Sequence, residues 1–127
     1  MSDLEQYSLE FPIHTSARLL YMMISTPEGL SRWFADSVDI QNDVFVFKWE
    51  GSEQRAQIVQ FKENEFITFK WIDDSHKDHN LEMRIQEDDL ASGVALIITD
   101  YSDPSDLDFN KRLFTTQVSL LQRHFQS

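Results

Sequence analysis

Two histidines and three aspartates crowd one short stretch of the chain, at Asp73, Asp74, His76, Asp78 and His79. Imidazole nitrogens and carboxylate oxygens suit zinc or manganese. The stretch reads as a polar loop, though, and a loop imposes no geometry on its histidines, so no metal site is expected. The chain has no cysteine, which removes disulfides and thiolate metal sites and fits a reducing compartment. No G-x-S-x-G elbow offers a serine nucleophile. His14 and His124 flank the start of the first helix and the end of the last, and neither has an evident serine or carboxylate partner. His124 instead suits the last helical carbonyls. No catalytic residue and no cofactor are expected.

Strand parity supplies the other polar candidates. Glu82 and Arg84 alternate with Leu81, Met83 and Ile85, so they are expected to face solvent. Asp100 shares its parity with Val94, Leu96 and Ile98. One outcome is an inward carboxyl with a raised pKa, able to act as acid or base. The other, which is the expectation, is that the strand has ended and Asp100 bonds to a turn or to the next helix start. Aromatics and methionines with a few polar neighbours make small-molecule pockets, and they also make ordinary cores. The candidate lining is Met22, Trp33, Phe47, Trp49, Phe69, Trp71, Met83, Phe114 and Val118, with Asp100 as its polar member.

The longest helical period runs from Ser105 to Phe125. Leu107, Phe114, Val118, Leu121 and Phe125 form its stripe, which Leu113 and Leu120 widen. Ser105 and Asp108 have the spacing of a capping box, with Asp in place of Glu. Near the N-terminus, Gln6 to Ile13 alternates as a half-buried strand, and Pro12 argues for an edge or an end. Thr15 or Ser16 caps a helix from Ala17 to Ile24 that is apolar on most sides and expected to be well buried. Thr26 then caps a second short helix, with Pro27 in its first turn. That helix carries Leu30, Trp33 and Phe34 and ends near Ala35.

From Val38 onward the chain reads as an antiparallel meander. Strands are expected at Val44–Trp49, Gln54–Phe61, Phe66–Ile72, Leu81–Gln86 and Val94–Tyr101. Phe45, Phe47 and Trp49 share one face, as do Ile67, Phe69 and Trp71, while Lys48 and Lys70 take the other. Lysine is almost never buried unpaired, so both aromatic triads are expected to face the long helix. In Gln54–Phe61, Ala56 and Ile58 compete with Val59 and Phe61 for the inner face, and a β-bulge would resolve the conflict. Val44, Val46, Phe66, Ala95 and Ile97 leave apolar patches on the outer face. Such patches are usually hidden, so a homodimer through the outer sheet face or an edge is expected.

Composition narrows the partners. At 127 residues the chain is read as a single domain, 1–127. Its net charge is -11, which repels phosphate backbones and anionic membrane surfaces. Only Arg18 and Arg32 are basic in the two short helices, which argues against DNA reading. No apolar run approaches the roughly 20 residues that span a bilayer. The first residues lack the basic-then-apolar pattern of a signal peptide, and a cytoplasmic location is expected.

The order strand, two short helices, meander and long last helix is that of the helix-grip fold. The segment Thr26-Pro27-Glu28-Gly29-Leu30-Ser31-Arg32-Trp33-Phe34-Ala35 resembles the corresponding segment of START-like (SRPBCC) proteins. The branch most similar is the one related to the Aha-type chaperone-activator domain. Phe47-Lys48-Trp49-Glu50-Gly51 and Phe69-Lys70-Trp71-Ile72-Asp73-Asp74 resemble a small bacterial START-like family of about this length. The resemblance covers essentially the whole chain. It implies an α+β fold with a curved antiparallel sheet of six to seven strands around the last helix, often enclosing an apolar cavity. Members of the superfamily include lipid and hormone binders, cyclases, ring-hydroxylase subunits and chaperone activators.

Three functions are therefore carried forward. The first is non-enzymatic binding of a small hydrophobic ligand between the sheet and the C-terminal helix. The second is a chaperone-accessory or protein-interaction module with a filled core. The third is a cyclase- or dehydratase-like enzyme. Free volume behind Trp49 and Trp71 separates the first from the second.

Overall fold

A computed structural model describes residues 4–72, 79–88 and 93–126. The elements follow in the order β1 (Glu5–Ile13), α1 (Ala17–Ser25), α2 (Pro27–Leu30), β2 (Ser37–Gln41), β3 (Val44–Trp49), β4 (Ser52–Lys62), β5 (Phe66–Trp71), β6 (Asn80–Asp88), β7 (Gly93–Ser102) and α3 (Leu107–His124). The seven strands form one antiparallel sheet in the order β1-β7-β6-β5-β4-β3-β2. The fold is α+β helix-grip, with a curved sheet and a long C-terminal helix. No helix among the described residues is long and apolar enough to cross a membrane.

Side-chain oxygens start the two short helices. Ser16 accepts from the Leu19 amide, and Thr26 accepts from the Gly29 amide with Pro27 next in line. The last carbonyls of α1 are met by side chains too: Ser25 donates to Tyr21, Thr26 to Met22 and the Trp33 indole to Met23. A helix end buried without such donors would be costly. Only one side of α1 is buried, through Leu20, Met23 and Ile24, while Leu19 and Met22 are 41% and 50% exposed. The expectation of a helix buried on most sides is corrected here, because α1 packs one side against β5 and β6 and turns Leu19 and Met22 to solvent.

The triads face inward. Phe45, Phe47, Ile67, Phe69 and Trp71 are buried, Trp49 is half-buried, and Lys48 is exposed. The bulge lies in β4, between Ile58 and Gln60. Val59 is the extra residue, and beyond it the parity changes. Ala56 and Ile58 pair with Trp71 and Phe69, and Phe61 then pairs with Ile67 on that same face. Phe61 reaches past the core and stays exposed. The seventh strand, β2, joins β3 through Asn42 and Asp43, both at positive φ (52° and 67°), as a two-residue hairpin of the twist-compatible kind requires.

The outer face is less bare than its sequence suggests. Arg84 lies 4.4 Å over the Phe66 ring and pairs with Glu82 at 3.2 Å. Both charged residues are half-buried rather than freely solvated, since their stems cover apolar neighbours.

Gly29 marks where α1 and α2 touch. A Cβ there would sit 2.3 Å from the Met22 carbonyl oxygen and 2.5 Å from the Met23 Cα, both backbone atoms. Gly29→Ala is expected to destabilise the protein by about 1–3 kcal/mol through overpacking. Urea unfolding with an unchanged m-value checks this, and wild-type stability would remove the close-contact account.

Candidate functional site

The long helix is fastened to the rest of the molecule by three side-chain amides. Asn110 donates to the Ser102 hydroxyl at 2.7 Å, Gln117 to the Phe34 carbonyl at 2.7 Å and Gln122 to the Pro12 carbonyl at 3.0 Å. Its start differs from the expected Ser105–Asp108 box. Asp103 accepts from both the amide and the hydroxyl of Ser105 and opens a 3-10 turn over Pro104–Asp106. Those two donors hold the Asp103 carboxyl below the usual range. α3 itself begins without a side-chain cap. Phe114, Val118 and Leu121 are its buried stripe, with Leu107 and Phe125 packed beside it. Leu113 and Leu120 are 45% and 46% exposed, outside that stripe.

α3 packs along β1 and leaves a space toward the ends of β3 and β5. The space is a cleft of about 520 Å³, partly open to solvent. Its buried walls are Tyr7, Phe34, Trp71, Phe114 and Asp100, with the half-buried Trp49 and Gln117 beside them. Phe109, Leu113, Glu50 and Ser52 are exposed and mark the mouth. Asn110, Gln54 and Tyr101 complete the lining.

The structure distributes the ten sequence candidates over three places. Trp49, Trp71, Asp100 and Phe114 line the cleft. Trp33, Phe47, Phe69, Met83 and Val118 are buried in the packed core and do not reach the cleft. Met22 is exposed on the outer side of α1, away from both. Of the histidine–aspartate cluster, Asp73, Asp74, His76 and Asp78 lie outside the described residues. His79 lies against Tyr101 with ring centroids 4.6 Å apart and the rings tilted by 58°. Among the described residues no group of acids and histidines is arranged to hold a metal ion.

Sequence reasoning did not single out Tyr7, Phe34, Asn110 or Gln117. Tyr7 carried a readable signal, since it shares the inward parity of Leu9 and Ile13. Asn110 and Gln117 also carried one, being seven residues apart with Phe114 between them, so all three share one side of the helix.

Asp100 lies within β7, opposite Tyr7 of β1, and is 9% exposed. The strand has not ended there, so the expected bond to a turn or to the next helix is corrected. Burial raises its pKa to about 7, and the Tyr101 amide, which donates to the carboxylate, acts in the opposite sense. Its Oδ1 is buried and has no hydrogen-bond partner among the described residues. Tyr7 is pushed upward as well, first by burial and then by the neighbouring carboxylate.

The START-like superfamily domain matches residues 1–126 of this sequence. The chain belongs to the START-like superfamily. Solved structures agree with that membership. A Bacteroides fragilis protein determined in solution is 33% identical over 95% of this START-like chain and 90% of its own, with a TM-score of 0.63. The Aha1 dimer of Colwellia psychrerythraea shares the fold at 12% identity, covering 95% and 93% of the two chains, with a TM-score of 0.75. A protein of the dynemicin biosynthetic locus shares it at 12% identity and a TM-score of 0.76, over 94% of this chain and 46% of its own. No curated protein matches the sequence.

The raised Asp100 pKa sets a sign for stability against pH. The folded carboxyl, at about 7, holds its proton more tightly than the unfolded one, at 3.8. Stability from this group is therefore full below the unfolded value and is lost as pH rises through about 7. Asp100→Asn is expected to be more stable than wild type at mildly alkaline pH, by up to about 4 kcal/mol. The gap should close as the pH is lowered toward the unfolded value. Thermal melts of both proteins across that range check it, and parallel curves would mean that Asp100 is not titrating in this window.

Proposed function

We propose that this START-like domain binds a small apolar, ring-bearing molecule in the cleft between α3 and the ends of β3 and β5. The observation that carries the reading is the space left beside Trp49 and Trp71, walled by aromatic rings instead of filled by them. Its volume of about 520 Å³ falls within the range of small-molecule sites. The lining has the composition of such a site, with indole and phenyl surfaces and a few placed amides and carboxyls. The exposed Phe109 and Leu113 at the mouth extend the apolar surface that a ligand would cover. The net charge of -11 favours a neutral molecule over an anion.

Protein partnership is the second reading. The exposed Phe109, Leu113 and Leu120 on α3 favour it, and one of the structural neighbours is a dimer.

Native mass spectrometry of the protein as purified tests both. Extra mass of small-molecule size, lost on denaturation, is the outcome expected for the cleft, and a spectrum at twice the chain mass supports partnership between copies. Leu113→Arg places a charge at the mouth without disturbing the core. It is expected to lower affinity for apolar molecules in the cleft at least severalfold while leaving the melting temperature within the range of ordinary surface substitutions. Unchanged affinity would place binding elsewhere.

A further inference from the structure

We propose that the molecule held in this cleft carries a hydroxyl group that donates a hydrogen bond to the Asp100 carboxyl. The inference rests on the cleft being a ligand site and names the chemistry of one end of the ligand. Its basis is an unmet acceptor. Asp100 lines the cleft, and its Oδ1 is buried without a partner among the described residues. Buried polar atoms are nearly always hydrogen-bonded, and one left alone costs stability. Such an atom in a natural protein calls for an explanation, and a group that arrives with the ligand supplies one.

The two α3 amides of the lining are turned elsewhere. The Asn110 amide is directed to Ser102 and the Gln117 amide to Phe34. Tyr7 sits directly across the strand pair, yet Oδ1 receives no bond from its hydroxyl. The torsion at the end of an aspartate side chain is broad and roughly two-fold, so rotation about it turns the carboxyl toward an arriving donor.

The surroundings select among donors. Phe34, Trp71 and Phe114 are apolar neighbours, and an ammonium group would lose its hydration among them at far greater cost than a hydroxyl. An anion would meet Asp100 within and Glu50 at the mouth. A neutral ring with one hydroxyl at its inner end satisfies the acceptor and fills the apolar walls together.

The test is isothermal titration with 2-naphthol and its methyl ether, 2-methoxynaphthalene, which share the ring and differ in the donor. Wild-type protein is expected to bind 2-naphthol about tenfold more tightly, the worth of one hydrogen bond to a buried acceptor. Asp100→Leu is expected to bring that ratio close to one while keeping affinity for the ether. Asp100→Asn, which preserves size and one acceptor oxygen, guards against a folding failure in the leucine variant and is expected to retain part of the preference. Equal binding of the two probes by wild type would overturn the hydroxyl while leaving the cleft as a site. A preference undiminished in Asp100→Leu would overturn the role of Asp100. Failure of both probes to bind would overturn the apolar cleft reading and this inference with it.

Discussion

One backbone carbonyl ties the architecture together. The oxygen of Phe34 accepts two hydrogen bonds, from the Trp49 indole at 2.7 Å and from the Gln117 amide at 2.7 Å. A carbonyl has two lone pairs, and here each is given to a different layer. One bond fixes the end of β3 and the other fixes the middle of α3. The Phe34 ring adds to this, meeting Phe47 and Trp49 edge-on at 5.2 and 5.5 Å and lying stacked at 6.2 Å from Phe114. The segment after α2 thus sets how far the helix stands from the sheet. The cleft exists because that distance is held by polar bonds and ring edges and is not closed by packing.

The inward aromatic faces were legible in the sequence for a simple reason. Lys48 and Lys70 fix the parity of two strands, and every other residue on those strands follows. The bulge was legible for the same reason, because Ala56, Ile58 and Phe61 cannot share a face without an extra residue. Strand β2 was harder to see. Of its residues only Val38 is buried, so periodicity marks it weakly, and the better signal was the Asn42-Asp43 pair. The start of α3 departs from the capping-box spacing because Ser105 acts as a donor there: its amide and its hydroxyl both go to Asp103, two residues upstream.

The candidate site was legible only in part, because lining a cleft depends on distance as well as on face. Phe47, Trp49, Phe69 and Trp71 all point inward, but only Trp49 and Trp71 lie at strand ends where the helix has moved away. Strand parity cannot make that distinction. Asp100 illustrates the opposite case. Its parity with Val94, Leu96 and Ile98 puts it inside, while reading the strand as ended at that point puts it in a turn or at the next helix start. The buried acid is a local inconsistency in an otherwise apolar row, of the sort that natural proteins tend to keep where they bind something.

The sheet order has a consequence for how the chain acquires its shape. β1 comes first in sequence but lies next to β7, with Ile13 opposite Val94 and Glu5 opposite Ser102. The meander from β2 to β7 can zip together from hairpins, each strand meeting one just made. β1 has no such neighbour and must wait until β7 has been formed. Pairing so distant in sequence carries a large loop-closure entropy and slows folding. During synthesis β1 precedes the other strands of this sheet, and its apolar Tyr7, Leu9, Phe11 and Ile13 wait for their partner strand until β7 has been made.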